Sequence, residues 1–223
     1  MVCSNRAVAS FDAMNTLANP LTPTYAARLR GSRRPPPRHS RYRPQAGAPA
    51  DGDLVATADG PLLLRRIHAA DVAALQRGFS QLTPDEVRMR FLHPLTELPE
   101  PLAERLCDLD DGCEIAFVLI DPPPAAEPEI HAVARAHVDP VTLGAEFALI
   151  VQRRYAGQGF GTLLMQRLIA ACRELGATEI WGDVLLENGP MLELCANLGF
   201  HRQSHVRGDP GLARVTLDLT GGQ

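Results

Sequence analysis

The chain has 223 residues, 45% of them hydrophobic, and a formal net charge of −4. That length suits one domain with an appendage. No apolar run reaches the roughly 18 residues of a transmembrane helix, and no continuous apolar core of a signal peptide is evident.

The charge is unevenly spread. Residues 1–50 hold eight arginines and one acid, Asp12, while the other 173 residues hold 14 arginines against 25 acids, a net −11. All 22 basic residues are arginine. The tract from Arg28 to Pro44 is built of Arg and Pro and buries too little apolar surface to offset chain entropy. Residues 1–52 therefore read as an extension, and 53–223 as the folded domain. A solvated tail is the favoured reading of the extension. An organelle presequence or a nucleic-acid patch around Tyr42 are the alternatives, the latter disfavoured because no folded module surrounds it. The five cysteines, Cys3, Cys107, Cys113, Cys172 and Cys195, are odd in number and form no Cys-x-x-Cys. Free thiols in a reducing, cytoplasmic setting fit better than disulfides or zinc. His201 and His205, four apart after a Gly-Phe, read as surface or groove histidines, so no metal is expected.

In chain order, Leu62–Ile67 predicts a strand and Ala69–Gly78 a helix, with Asp71 suited to its first turn. Thr83-Pro84-Asp85-Glu86 starts a second helix, running to Phe91. Leu98-Pro99-Glu100-Pro101 opens a third, to Leu109. Strands follow over Glu114–Ile120, Ile130–Val138 and the apolar run Phe147–Val151. Gly157, Gly159 and Gly161 then punctuate a loop before an amphipathic helix that starts near Thr162 and ends near Leu175, capped by Gly176. Ile180–Leu185 is a strand, Pro190–Leu198 a helix, and 200–206 and 213–219 are the closing strands. Strands and helices in this order predict an α/β fold with a mostly antiparallel sheet.

Strand, glycine loop and helix make a geometry for holding phosphate. Glycines let backbone approach the ligand, and the free N–H groups of the first helical turn point at an anion. No Lys follows the glycines, which excludes a Walker loop. Gly-x-Gly-x-x-Gly would need glycine at 162, where Thr162 stands, which argues against a dinucleotide fingerprint.

The x-Gly-x-Gly-x-Gly pattern before a helix resembles the pyrophosphate loop of the GCN5-related N-acetyltransferases. A second segment, Asn188 followed by a short helix and Leu198-Gly199-Phe200, matches the same family in order and spacing. The resemblance extends to bacterial Pat-type protein lysine acetyltransferases through Arg65–Asp71, Arg90-Phe91-Leu92, Glu114–Val118, Ala145–Ala148 and Glu187–Leu192, and covers about residues 60–218. It implies acetyl-CoA as acyl donor, a GNAT-like sheet, and contacts to the donor from Leu149, Val151, Ala156, Gly157, Gln158, Gly159, Phe160, Gly161, Thr162 and Asn188. It also implies a protein acceptor such as an acyl-CoA synthetase.

Acyl transfer to an amine faces one difficulty. A lysine side chain titrates near ~10.4, so about one in two thousand is neutral at pH 7. A general base helps. Glu146, in the segment where Pat-type enzymes place their catalytic glutamate, is the candidate, and its apolar neighbours are expected to raise its pKa. Glu114 is the competitor. A backbone N–H near Leu149 to Val151 can donate to the carbonyl oxygen as negative charge develops there. Two departures from the family stand out. Ala156 replaces the usual Gln or Arg, with Arg153 and Arg154 placed to compensate, and Cys195 replaces a frequent Tyr. An active lysine acyltransferase, a small-amine acetyltransferase and a silent acyl-CoA-binding module all remain open.

A shortened chain beginning at Asp53 is expected to keep the unfolding temperature and the acetyl-CoA turnover of the full chain, measured side by side. Loss of turnover in a folded shortened chain would give the tail a role in the site.

Overall fold

Two strongly apolar strands occupy the middle of the sheet. They are β3 (Glu114–Ile120) and β4 (Ile130–Val138), buried along both faces except at Phe117 and Val133. The structure, a computed structural model, describes residues 52–92, 94–206 and 209–221. The predicted tail with Cys3, and the side chain of His205, lie outside the described residues. The other strands are β1 (Asp53–Thr57), β2 (Gly60–Arg66), β5 (Gly144–Val151), β6 (Glu179–Leu185), β7 (His201–Val206) and β8 (Asp209–Asp218). They line up as β1-β2-β3-β4-β5-β6-β8-β7, antiparallel throughout except for a parallel β5–β6 pair.

The helices cover both faces. On one lie α1 (Val72–Ser80), α2 (Pro84–Phe91) and α3 (Glu100–Cys107), packing around Leu63, Phe79, Val87, Leu106, Val118 and Ile120. On the other lie α4 (Phe160–Glu174) and α5 (Gly189–Asn197), around Leu119, Phe147, Leu164, Leu168, Ile180 and Val215. Burying two apolar faces of a central sheet is what allows β3 and β4 to be apolar along their whole length.

The elements follow the sequence expectations closely. The capping box at α2 forms as read: the Thr83 hydroxyl accepts from the Glu86 N–H at 3.3 Å, and a Glu86 carboxylate oxygen accepts from the Thr83 N–H at 2.8 Å. Two details differ. The helix predicted from Ala69 begins as a 3₁₀ turn, Ala69–Asp71, with α1 starting at Val72. The Asp71 carboxylate is drawn back onto the Arg65 guanidinium (2.7 and 2.8 Å) and the His68 N–H (2.7 Å). The second difference is β1, which the sequence did not suggest. It is five residues long, alternates in burial and exposes Leu54, so its apolar signal is weak.

A constraint at the centre of the fold positions the site. β5 and β6 pair over three residues only, Gly144↔Glu179, Ala145↔Ile180 and Glu146↔Trp181. Immediately beyond, the Phe147 ring packs on Gly182, where a Cβ would come within 2.8 Å of the ring. Phe147 is also held edge-on by Phe200, with ring centroids 5.5 Å apart. β6 continues alongside β8 to Leu185 while β5 continues alongside β4 to Val151, so the two strands part and leave a gap.

Gly182→Ala is therefore expected to displace Phe147 and destabilise the fold by about 1–3 kcal/mol, the usual cost of overpacking, read from urea denaturation. An unchanged midpoint would show that the ring moves aside freely.

Candidate active site

The gap exposes one edge of β5, and the hydrogen-bond phase says which groups it presents. The Gln152 N–H donates to the His131 carbonyl at 2.9 Å. Successive residues of a strand point their N–H groups in opposite directions. The N–H groups of Ala148 and Ile150 therefore face β4, and those of Leu149 and Val151 face the gap. Leu149 and Val151 each present an N–H toward the side where the sequence analysis places a donor.

Below the gap, the chain turns through a 3₁₀ segment, Arg153–Tyr155, and the glycine loop into α4. Gly157 and Gly159 have φ of +73° and +85°, and the space beside each Cα is open. Gly159 is the N-cap residue, no side chain caps the helix, and no acid stands in its first turn. The N–H groups of Phe160, Gly161 and Thr162 have no acceptor within the helix. Gly161 serves differently: a Cβ there would stand 3.3 Å from Leu194 and 3.6 Å from Leu149, so glycine lets the helix start approach β5 and α5 closely. Together these make an anion cradle directly beneath the exposed strand edge. Phe160 is buried, while Ala156 and Gln158 lie exposed on the loop and the Gln158 amide donates to the Arg154 carbonyl at 3.0 Å.

Asn188 caps α5, its side-chain oxygen accepting from the Met191 N–H at 3.2 Å, and faces the same groove. The upper groove is lined by Arg90, Phe91, Glu146, Ala148, Asp183 and Asn188. Glu146 stands at the point where β5 and β6 part and is half-buried. Its setting is mixed rather than apolar, because the guanidiniums of Arg90 and Arg214 both lie within its electrostatic reach. Arg214 is held by two hydrogen bonds to Asp183, each 2.8 Å, and lies over the Trp181 ring. The Asp183 bonds raise the Arg214 pKa, against the opposing effect of burial. An Arg88–Glu187 ion pair joins α2 to the loop before α5, linking the two walls of the groove.

Glu114, the competing base, is fully occupied elsewhere. It is 2% exposed, receives both Arg105 guanidinium nitrogens at 2.8 and 3.0 Å, and accepts the Asp110 N–H at 2.9 Å. Arg154 is likewise committed. It donates to Gln152 (3.0 Å) and Glu129 (2.9 Å), contacts His131 Nδ1 at 2.7 Å, and lies over the Tyr155 ring. That corrects the expectation that Arg154 could replace the side chain missing at Ala156, and exposed Arg153 is the remaining cation there. Cys195 is buried in the core, and burial pushes its thiol up to about 12, so it serves packing. Sequence reasoning missed Arg90 and Asp183 as groove residues, and Arg214, which holds Asp183. Arg90 had a signal, since Arg90-Phe91-Leu92 is one of the segments that match the Pat type.

With this geometry in view, comparison with known proteins gives the class. The description "Acetyltransferase (GNAT) family" matches residues 73–200. The chain belongs to that family and is an acetyl-CoA-dependent N-acyltransferase. It is similar to an acetyltransferase of Pseudomonas aeruginosa, 27% identical over 161 residues, covering 71% of this chain and 86% of that protein. Among solved structures, its fold is similar to the GNAT domain of S. lividans PAT, with a TM-score of 0.64 and 22% identity over 74% of this chain and 96% of the other. It is also similar to a spermidine N-acetyltransferase of Vibrio cholerae, solved with CoA and spermine. There the TM-score is 0.55 and the identity 20%, over 71% of this chain and 96% of the other.

Glu114→Gln is expected to lower stability by about 1.5–3 kcal/mol through loss of charged hydrogen bonds, while acetyl-CoA turnover per folded molecule persists. Stability intact with turnover abolished would return Glu114 to the chemistry.

Proposed function

We propose that this chain transfers the acetyl group of acetyl-CoA directly to the side-chain amine of a lysine on another protein, with Glu146 as general base. The observation that carries the reading is the position of Glu146, where the exposed β5 edge begins and above the uncapped start of α4. In this reading the pyrophosphate sits on Gly157–Thr162, and the pantetheine arm runs along the free edge of Leu149 and Val151 as an added strand would. Asn188 borders the thioester end.

The chemistry follows. Glu146 takes a proton from the incoming ammonium, directly or through water, and leaves a neutral nitrogen with a lone pair. That nitrogen attacks the thioester carbon, and the oxygen gains negative charge opposite the N–H of Leu149 or Val151. Collapse breaks the carbon–sulfur bond. The thiolate departs and takes its proton from the newly acylated nitrogen, which becomes the amide, or from water. With the Cys195 thiol in the core, no cysteine acid is needed, since a thiol of pKa near ~8.5 is a tolerable leaving group.

What supports a protein lysine is the Pat-type resemblance together with the net −11 of residues 51–223, a field that draws cationic amines. Acyl-CoA synthetases are the first acceptors to try. Because the chain has no lysine of its own, acetyl-lysine appearing in a purified mixture belongs to the partner.

Glu146→Gln is expected to lower turnover by about 10²–10⁴-fold while acetyl-CoA binding, measured by calorimetry, is retained. In the same assay, acetyl-lysine on an acyl-CoA synthetase is mapped by mass spectrometry. Site-specific modification that disappears in Glu146→Gln is the expected result. A variant with full turnover across pH 6–9 removes the base assignment. Efficient acetylation of a polyamine with the proteins untouched replaces the acceptor.

A further inference from the structure

A second pocket lies behind the groove, between the α1–α3 layer and the sheet. Its volume is about 50 Å³, several times the roughly 10–15 Å³ that one water occupies. The wall is almost wholly apolar, with Ile67, Leu75, Phe79, Leu98, Leu106 and Ile150 contributing. Its polar side chains are the guanidiniums of Arg90 and Arg135, together with His131 and Gln152, which hydrogen-bond each other.

Arg135 is the anomaly. It projects from β4 opposite Ala148 and is 4% exposed. Its buried Nε has no hydrogen-bond partner among the described residues. Among the described residues its foremost opposite charge is Glu114, already claimed by both nitrogens of Arg105. Within this face of the sheet, Arg90, Arg105 and Arg135 outnumber Glu114 and Glu146. His137 adds no positive charge near neutral pH, since burial pushes its pKa down. A buried guanidinium that shares its foremost carboxylate and keeps an unsatisfied N–H is costly, and native folds rarely keep one without a reason. A planar guanidinium with an unsatisfied Nε–H, lining an apolar pocket, matches a carboxylate attached to a short hydrocarbon.

We propose that this pocket binds a small monocarboxylate with a short apolar chain, its carboxylate on Arg135 and Arg90 and its chain among Leu75, Phe79 and Leu106. Arg90 and Phe91 line both this pocket and the Glu146 groove, so the ligand touches the wall of the catalytic groove without entering the acyl-donor cradle. The carboxylate comes either from a separate molecule acting on the groove through Arg90, or from the acceptor itself if the acceptor is an amino acid. Binding does not depend on turnover, so the proposal stands or falls separately from the acetyl-transfer reading.

The probe is butyrate on the full chain, followed by calorimetry and by thermal unfolding at matched ionic strength, with butyramide and butylamine as controls. Saturable butyrate binding is expected, at least about tenfold tighter than butyramide because only the carboxylate pairs with the guanidinium. Arg135→Met should abolish it and leave acetyl-CoA affinity unchanged. If that variant fails to fold, the butyrate–butyramide comparison on the natural chain decides alone. Thiol release from acetyl-CoA then separates the sources. Preferential acetylation of 4-aminobutyrate, inhibited competitively by butyrate, assigns the carboxylate to the acceptor. Altered turnover of an amine lacking a carboxylate assigns it to a separate ligand. No saturable butyrate binding, equal binding of butyramide, or undiminished binding in folded Arg135→Met overturns the proposal.

Discussion

The parting of β5 from β6 after Glu146 is the constraint on which the rest of the molecule depends. Three residue pairs hold the strands together, and just beyond them the Phe147 ring packs on Gly182. A sheet edge inside a domain normally leaves backbone donors unsatisfied and is avoided. Here the edge residues Leu149 and Val151 sit over the first turn of α4, itself uncapped by any side chain. Two sets of orphan donors are thus directed into one groove. Much of what lines the groove here is backbone, and Ala156 stands exposed on the loop beside it.

The two faces of the sheet divide the labour. The α4–α5 face supplies a dry core that fixes the glycine loop through Gly161 against Leu149 and Leu194. The α1–α3 face carries the charges. Glu114, His137 and Glu146 stand in register across β3, β4 and β5, and Arg105 neutralises the first of them. Two glutamates that look alike in sequence are therefore separated by their surroundings: one is locked into an ion pair, the other opens onto the groove. Glu86 ties this face to the loop by accepting the Arg153 N–H at 2.7 Å, so α2, which bears Arg90, is positioned by the segment that leads into the cradle.

The order of strands and helices, the α2 capping box and the glycine loop were legible because each rests on residues close in sequence. Periodicity, turn chemistry and caps are local signals. The loop was legible in its backbone, since Gly157 and Gly159 take the positive φ that their spacing before the helix suggests. What escaped reading depends on partners far apart. The gap opens where Phe147 meets Gly182, 35 positions on. Arg154 looked available beside the loop, but Glu129 and His131, more than 20 residues earlier, engage it. Arg135 reads as one more alternating residue of β4, and its isolation appears only when Arg105 is seen to hold Glu114. β1 escaped because five half-exposed residues have little pattern to read.

The central claim is that the free edge of β5 receives the acyl donor. Amide hydrogen exchange along β5, with and without acetyl-CoA, tests it at single-residue resolution. The account predicts that Leu149 and Val151, whose N–H groups face the gap, exchange quickly alone and gain protection with acetyl-CoA. Ala148 and Ile150, bonded to β4, should be protected throughout. Equal protection of all four residues without ligand, or no gain at Leu149 and Val151 when acetyl-CoA binds, would contradict it.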